Sequence, residues 1–351
     1  MKSLECEFLE QQAIPIEMGG LLQVLGEMKG RQDLFRHQTP QVLESLRQAA
    51  IIESTESSNR IEGVTVSPNR FRELMIHPAE PRDRSEAEII GYRNVLSQIH
   101  TNPERFDLTE ETIKAFHSAI YAQTSLTGGR YKQKDNTIEE RLQDGRWITR
   151  FVPVSARETP SYMNEMITRF NRLQNDGRIS PLLLIPTLIL DFLCIHPFTD
   201  GNGRVSRLMT VLLLNVSGYE IGRYISVERL IEQSKETYYE ALRKSSENWH
   251  QSLHRLKPWW EYSLGILIGA YKELEVRVGA VTKARGAKTA LVDQAVVMLP
   301  DTFGISDVER ACPAVSRDMI RVVLNRLRDE GKLACKGTGR KALWEKRGNK
   351  T

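Results

Sequence analysis

Cysteine is scarce in this chain. Four occur in 351 residues, at Cys6, Cys194, Cys312 and Cys335, and their scatter excludes a disulfide framework or a thiolate metal knuckle. Seven histidines are dispersed along the sequence, and no metal-ligand cluster is expected among them. Long apolar runs are missing too. The longest, Leu182 to Ile195, is too short to span a membrane and contains Pro186 and Asp191. The first ten residues carry Glu5, Glu7 and Glu10 where a secretory signal would be apolar. The expectation is a soluble, cytoplasmic protein with no membrane partner. Internal repeats and low-complexity tracts are absent, and strand signal is sparse.

What is present is helical periodicity, over a length sufficient for two or three domains. Helices are expected over residues 41–53, 85–99, 109–121, 160–173, 235–246 and 258–276. Ser85-Glu86-Ala87-Glu88 reads as the acidic first turn that a helix start favours. Residues 281–288, rich in Lys, Arg, Gly and Ala, read as a linker. From residue 281 onward 15 Lys and Arg face 8 Asp and Glu, a net of +7, which leaves −3 for the rest of a chain of net +4. Three regions follow: an N-terminal helical region (1–104), a core (105–280) and a basic C-terminal module (281–351).

The densest chemistry lies between two apolar helical stretches, in His196-Pro197-Phe198-Thr199-Asp200-Gly201-Asn202-Gly203-Arg204-Val205-Ser206-Arg207. Gly201 and Gly203 free the backbone so that successive N–H groups can converge on an anion. A helix starting near Arg204 adds its unpaired N–H donors and its dipole. Arg204 and Arg207, three apart, share one face of that first turn and could each grip a phosphate. Asp200 is a hard oxygen ligand placed where Mg²⁺ would sit beside phosphates. His196 can accept a proton near neutral pH. A base beside a metal-bound polyphosphate means nucleotidyl or phosphoryl transfer.

This dozen resembles the signature of the Fic family, His-Pro-Phe-x-(Asp/Glu)-Gly-Asn-Gly-Arg-x-x-Arg, with every fixed position filled. The resemblance implies a mainly α fold with a Fic helical core and a small β-hairpin flap. It also implies transfer of AMP from ATP to a Ser, Thr or Tyr hydroxyl of a target protein, or of the chain itself. His196 would deprotonate that hydroxyl, and Asp200 would hold Mg²⁺. Gly201, Asn202, Gly203, Arg204, Val205, Ser206 and Arg207 would bind ATP, with Arg207 on the γ-phosphate. Some relatives transfer phosphate or remove AMP instead, so a Fic-type phosphotransferase and a de-AMPylating activity stand as alternatives.

Upstream, Ser58-Asn59-Arg60-Ile61-Glu62-Gly63 is similar to the family's inhibitory motif, (Ser/Thr)-x-x-x-Glu-(Gly/Asn). Gly63 is a helix stop, placing Glu62 at a helix end. A carboxylate reaching Arg207 would occupy the fork that the γ-phosphate needs. Thr127-Gly128-Gly129-Arg130-Tyr131-Lys132 resembles the segment leading to the flap, with Lys132 where Arg is usual. Asn136, Thr137, Ile138 and Glu139 would then form the edge that docks the target backbone. Gln143-Asp144-Gly145-Arg146 is expected to turn the hairpin. Tyr238 and Tyr239 resemble the pair that lines the adenine pocket; they read equally as aromatics of a helical core.

The tail is similar to a winged helix-turn-helix. A short helix begins at Gly304, and Ser316 caps a second over 317–330. Residues 333–336 and 340–345, joined by Gly337-Thr338-Gly339, form a hairpin. Arg317, Arg321, Asn325 and Arg328 fall on the outer face, where a DNA-reading helix carries its contacts. DNA and a second copy of the chain are the further partners this reading allows, and a nucleotide-sensing DNA-binding regulator is the rival function.

Overall fold

A computed structural model describes residues 2–38, 40–76, 80–141, 145–283, 287–312, 315–337 and 342–347. The chain is mainly helical, with two small antiparallel sheets. Five helices precede the core: α1 (Cys6–Glu10), α2 (Ile16–Gln38), α3 (Pro40–Ile61), α4 (Pro68–Ile76) and α5 (Arg84–Thr101). The long α2 went unread in the sequence. Gly19, Gly20, Gly26 and Gly30 dilute its pattern, and among its residues 16–36 only Met18, Leu25, Met28 and Gln32 are deeply buried. α3 runs unbroken from the expected helix at 41–53 through Ser58 to Ile61, so the inhibitory-type motif is the end of one continuous rod.

The acidic turn expected at the start of α5 has a different use. Asp83 is the N-cap, accepting the Glu86 N–H at 2.9 Å, and the helix begins at Arg84. Glu86 is buried as the bidentate partner of Arg70, which holds its carboxyl down at about 2. Glu88 is buried as well. Glu86 keeps the expected place in the first turn, and both carboxylates also make tertiary contacts.

α6 (Glu110–Tyr121) is capped by Thr109, as expected. β1 (Ile138–Arg141) and β2 (Trp147–Phe151) follow as an antiparallel pair, with Glu139 opposite Thr149 and a register irregularity at Ile138/Glu139. The turn between them includes residues 142–144, which lie outside the described residues. α7 (Thr159–Asp176), α8 (Pro181–Ile195) and α9 (Asn202–Val216) then form the centre. Every residue of α8 from Leu182 to Ile195 is buried. Three indole N–H groups fasten it: Trp249 to Asp191 Oδ1 at 2.7 Å, Trp259 to the Pro186 carbonyl at 2.8 Å and Trp260 to Thr187 Oγ1 at 2.9 Å. Losing a buried Trp typically costs about 3–5 kcal/mol, so α8 is a firm base for the loop at its end. α10 (Val227–Gln233), α11 (Lys235–Ser246) and α12 (Lys257–Lys283) close this core.

α12 runs into the segment expected as a linker, and residues 284–286 lie outside the described residues. Beyond come α13 (Ala287–Met298), β3 (Thr302–Gly304), α14 (Ile305–Ala311), α15 (Arg317–Asp329), β4 (Leu333–Lys336) and β5 (Leu343–Lys346), with sheet order β3-β5-β4. The turn expected at 337–339 lies mostly outside the described residues. This module has its own apolar core, including Val292, Val308, Ile320, Leu324 and Trp344, distinct from the larger one around α8. On α15, Arg317, Arg321 and Arg328 each meet a carboxylate, of Glu309, Asp318 and Asp329, at 3.2, 3.2 and 2.9 Å. Among the described residues no helix is long and apolar enough to cross a membrane.

Candidate functional site

The α8 helix ends by turning His196 into the left-handed region, φ 52° and ψ 60°. Such a conformation is uncommon for a residue with a Cβ and persists only where its surroundings enforce it. Here the His196 N–H still closes the helix on the Phe192 carbonyl at 2.9 Å. The ring Nδ1 lies 3.3 Å from the Leu193 carbonyl, an oxygen that can only accept. Nδ1 therefore carries the hydrogen, and Nε2 is left as the acceptor. Burial lowers the imidazole to about 4; Lys132 works in the same direction, against the Leu193 carbonyl, Glu62 and Asp200. At neutral pH the ring is uncharged and able to take a proton.

The rest of the loop is closed by its own side chains. Asn202 accepts the Phe198 N–H at 2.9 Å and returns its amide to the Phe198 carbonyl at 2.8 Å. Gly201, at φ 80°, caps α9, and a Cβ there would come 2.9 Å from the Tyr121 hydroxyl. A Cβ on Gly203 would lie 2.1 Å from Glu62 Oε1, so only glycine admits that carboxylate. Val205 is sealed in the core with its N–H on the Gly201 carbonyl, and Ser206 Oγ turns back to the Gly203 carbonyl. These two residues support the first turn of α9 with atoms already engaged.

The two arginines face different surroundings. Arg207 donates Nε to Ser58 Oγ at 2.8 Å and Nη2 to the Ser58 carbonyl at 3.0 Å and to Glu62 Oε1 at 2.7 Å. Burial alone would weaken its charge, but Glu62 and the nearby Tyr238 and Tyr92 hold the guanidinium well above its ordinary value. Gly63, at φ 77°, ends the chain's run at this point. Arg204 is 1% exposed and gives Nη1 to Glu88 and Nη2 to the Tyr121 hydroxyl at 2.7 Å. Its Nε has no partner.

Asp200 is half-exposed at the loop's outer edge. Its Oδ1 accepts the Gly201 N–H at 2.7 Å and its Oδ2 accepts Arg84 Nη2 at 2.9 Å. Burial would raise its carboxyl, but Arg204, the Gly201 N–H, Tyr121 and Arg84 together hold it below the ordinary range. No cluster of three His, Cys, Asp or Glu able to hold a metal occurs among the described residues. A single ionised carboxylate next to a helix N-terminus fits Mg²⁺, which keeps most of its water and takes the remainder of its ligands from phosphates. His250 and His254, four apart in sequence, go separate ways, to the Val152 carbonyl and to Ser3 Oγ.

A cavity of about 650 Å³ opens beside the loop, lined by His196, Gly203, Arg207, Glu62, Tyr238 and Tyr239, with Ile138, Glu139, Arg150 and Phe151 of the hairpin at its mouth. That is the size of a ligand pocket. Tyr238 is buried and Tyr239 is 44% exposed, so one packs and the other presents a face. The hairpin begins two residues later than the expected docking edge. Thr137 is exposed ahead of it, and Asn136 is tied by its amide to the Phe198 carbonyl and accepts Lys132 Nζ at 2.9 Å. Lys132 also reaches the Ile195 carbonyl at 3.1 Å, and burial lowers its ammonium to about 8 against the pull of Asp135.

Sequence reasoning missed several residues of this shell. His117 stacks on Phe198 at 3.9 Å, accepts the Gly129 N–H at Nδ1 (2.8 Å) and gives Nε2–H to the Asp200 carbonyl (3.0 Å), joining flap root to loop. Tyr121, Glu88 and Arg84 act on the loop from α6 and α5. None sits in a local pattern; only the fold brings them there.

The Fic/DOC family pattern matches residues 107–214, which include the whole loop. Protein adenylyltransferase Fic of Drosophila erecta and that of Drosophila melanogaster are each 23% identical to the chain over 219 residues, 60% of this chain. The match spans only 40% of the length of those relatives. A Fido domain-containing protein of Dictyostelium discoideum is 30% identical over 89 residues, 23% of this chain and 59% of its own. Among solved structures, a Fic family protein from Desulfovibrio desulfuricans aligns over 97% of this chain and 98% of its own, with TM-score 0.61 and 21% identity. A Fic domain containing signaling protein from Bacteroides thetaiotaomicron aligns over 73% and 98%, with TM-score 0.59 and 21% identity. The helical fold is shared with these solved structures, and residues 107–214 of the chain are a Fic/DOC domain.

Proposed function

We propose that the chain is a protein adenylyltransferase that uses ATP and is held in check by its own Glu62. The observation that carries this reading is the cavity wall itself. A neutral His196, a glycine-lined helix N-terminus and Arg207 face one space, and Arg207 is already engaged by Ser58 and Glu62. Tyr239 offers a face for the adenine, and the hairpin offers an edge for an extended target segment. In the transfer step the target hydroxyl oxygen attacks the α-phosphorus, the bond to the bridging oxygen breaks, and pyrophosphate leaves. Nε2 of His196 takes the hydroxyl proton. Asp200 would hold a divalent cation, which when bound supplies charge neutralisation at the phosphates. The chain's own part is positioning and electrostatics, as this class of reaction requires.

Glu62 restrains the site by occupying the Arg207 fork, so that a γ-phosphate cannot reach it with the α-phosphorus in line. Residues 1–104, 105–280 and 281–351 are proposed as inhibitory region, catalytic core and accessory module. The separate apolar core and the order helix, strand, helix, helix, hairpin support a winged helix-turn-helix in the last. The test uses Glu62→Gly with ATP labelled at either the α- or the γ-phosphorus. Incorporation of the α label alone, lost in Glu62→Gly/His196→Ala, is expected. Incorporation of the γ label would replace this reading with phosphoryl transfer.

A further inference from the structure

We propose that Arg84 is a built-in place-holder for the cation at Asp200, a positioning residue whose guanidinium must leave before a divalent ion can bind. The inference rests on the reading of Asp200 as the metal-holding residue.

Arg84 opens α5, outside the residues matched by the Fic/DOC pattern. Its place is fixed from behind by the Asp83 cap and by the bidentate Arg70–Glu86 pair. Its guanidinium gives Nε to Glu88 and Nη2 to Asp200 Oδ2 at 2.9 Å. Glu88 is itself shared with Arg204. Arg84, Glu88, Arg204 and Asp200 thus form a chain of alternating sign that sums to zero. With Oδ1 accepting the Gly201 N–H, Arg84 covers the other oxygen of the carboxylate, the one turned from the backbone.

A dication arriving on Oδ2 would meet that guanidinium at contact distance and be repelled by it. The contact with Asp200 is cheap to break, because Arg84 is 54% exposed and Asp200 51%. Exposed pairs of this kind are weak, so Arg84 sets the cation concentration at which the site fills without closing it. Glu88, at 1% exposure, does not move with it; it keeps Arg204 in place while Arg84 swings out.

The test is Mn²⁺ binding followed by the loss of the free-ion electron paramagnetic resonance signal beyond that caused by the same concentration of ADP alone, in the protein saturated with ADP. ADP carries no γ-phosphate and so leaves the Glu62–Arg207 pair undisturbed. Arg84→Ala should bind Mn²⁺ about two- to fivefold more tightly than wild type, with Arg84→Gln intermediate. Asp200→Ala should abolish the protein-bound ion in both backgrounds. An unchanged or weaker affinity in Arg84→Ala, with Asp200→Ala still abolishing binding, overturns the place-holder alone. Binding that survives Asp200→Ala overturns the assignment of Asp200 and the place-holder with it.

Discussion

Arg204 and Arg207 stand one turn apart on α9, and each meets a glutamate delivered from the N-terminal helices. The pairs differ in burial. Arg204 and Glu88 are both 1% exposed, whereas Arg207 at 4% is paired with a Glu62 that is 26% exposed and borders the cavity. Removing one partner of a buried pair strands a charge; removing a partner that water can replace does not. The same chemistry therefore makes a fixture at Arg204 and a removable latch at Arg207. The phosphate-binding role expected for Arg204 follows suit. The structure places it behind the loop, bracing Tyr121 and Glu88, and of the two α9 arginines Arg207 is the one that lines the cavity.

The largest effect that could break this contrast concerns stability. Glu88→Ala should destabilise the fold by about 3–5 kcal/mol in denaturant titrations, and Glu62→Ala by about 1 kcal/mol or less. Equal losses would mean that burial does not separate the two pairs. A smaller effect comes from Gly203, whose missing Cβ leaves room for Glu62. Gly203→Ala should cost about 1–3 kcal/mol in the wild type and much less in Glu62→Gly. A cost independent of Glu62 would show that the cradle is tight for another reason.

The third prediction is set by pH. His196 lies beside both Glu62 and Asp200, yet burial holds it near 4. Transfer by Glu62→Gly should then stay level from pH 8 to about 5 and fall only toward 4, rather than halving at the ordinary histidine value of about 6.5. The sign for stability follows. The folded chain refuses protons on His196 and on the fully buried His100, held at about 3, that the unfolded chain accepts below about 6.5. The contribution of these two histidines is thus complete above about 6.5 and lost as pH falls, at up to about 1.4 kcal/mol per pH unit for each group. Asp191, raised by burial to about 7, slopes the other way: its contribution is present at low pH and lost as pH rises through 7. Asp191→Asn should therefore gain more thermal stability relative to wild type at pH 8 than at pH 5; a gain equal at both would return Asp191 to an ordinary carboxylate.

The contrast between the two pairs also marks what could be read without coordinates. The loop from His196 to Arg207 was legible because its chemistry is contiguous, with every residue within one turn of the next. Glu62 was legible because it sits at a helix end within a short pattern. Glu88 looked like a dipole-complementing acid in a first turn, and one of its two arginine partners is 116 positions away. Arg84, Tyr121 and His117 were invisible for the same reason: common residue types whose meaning comes from packing α5 and α6 against the loop. For Val205 and Ser206 the motif said nothing of which way the side chains point, and the structure turns both away from solvent. The start of the flap was misjudged by two residues because Lys132 and Asn136, which tie it down, do so through backbone carbonyls at the end of α8 and in the loop.

The most direct measurement is intact-mass spectrometry of wild type, Glu62→Gly, Glu88→Gln and Glu62→Gly/His196→Ala after incubation with Mg-ATP. The account predicts a gain of one or more AMP groups in Glu62→Gly and none in the other three. An AMP adduct on Glu88→Gln would make both pairs latches. An adduct on the double variant would remove His196 as the base, and a gain of phosphate in place of AMP would contradict adenylyl transfer.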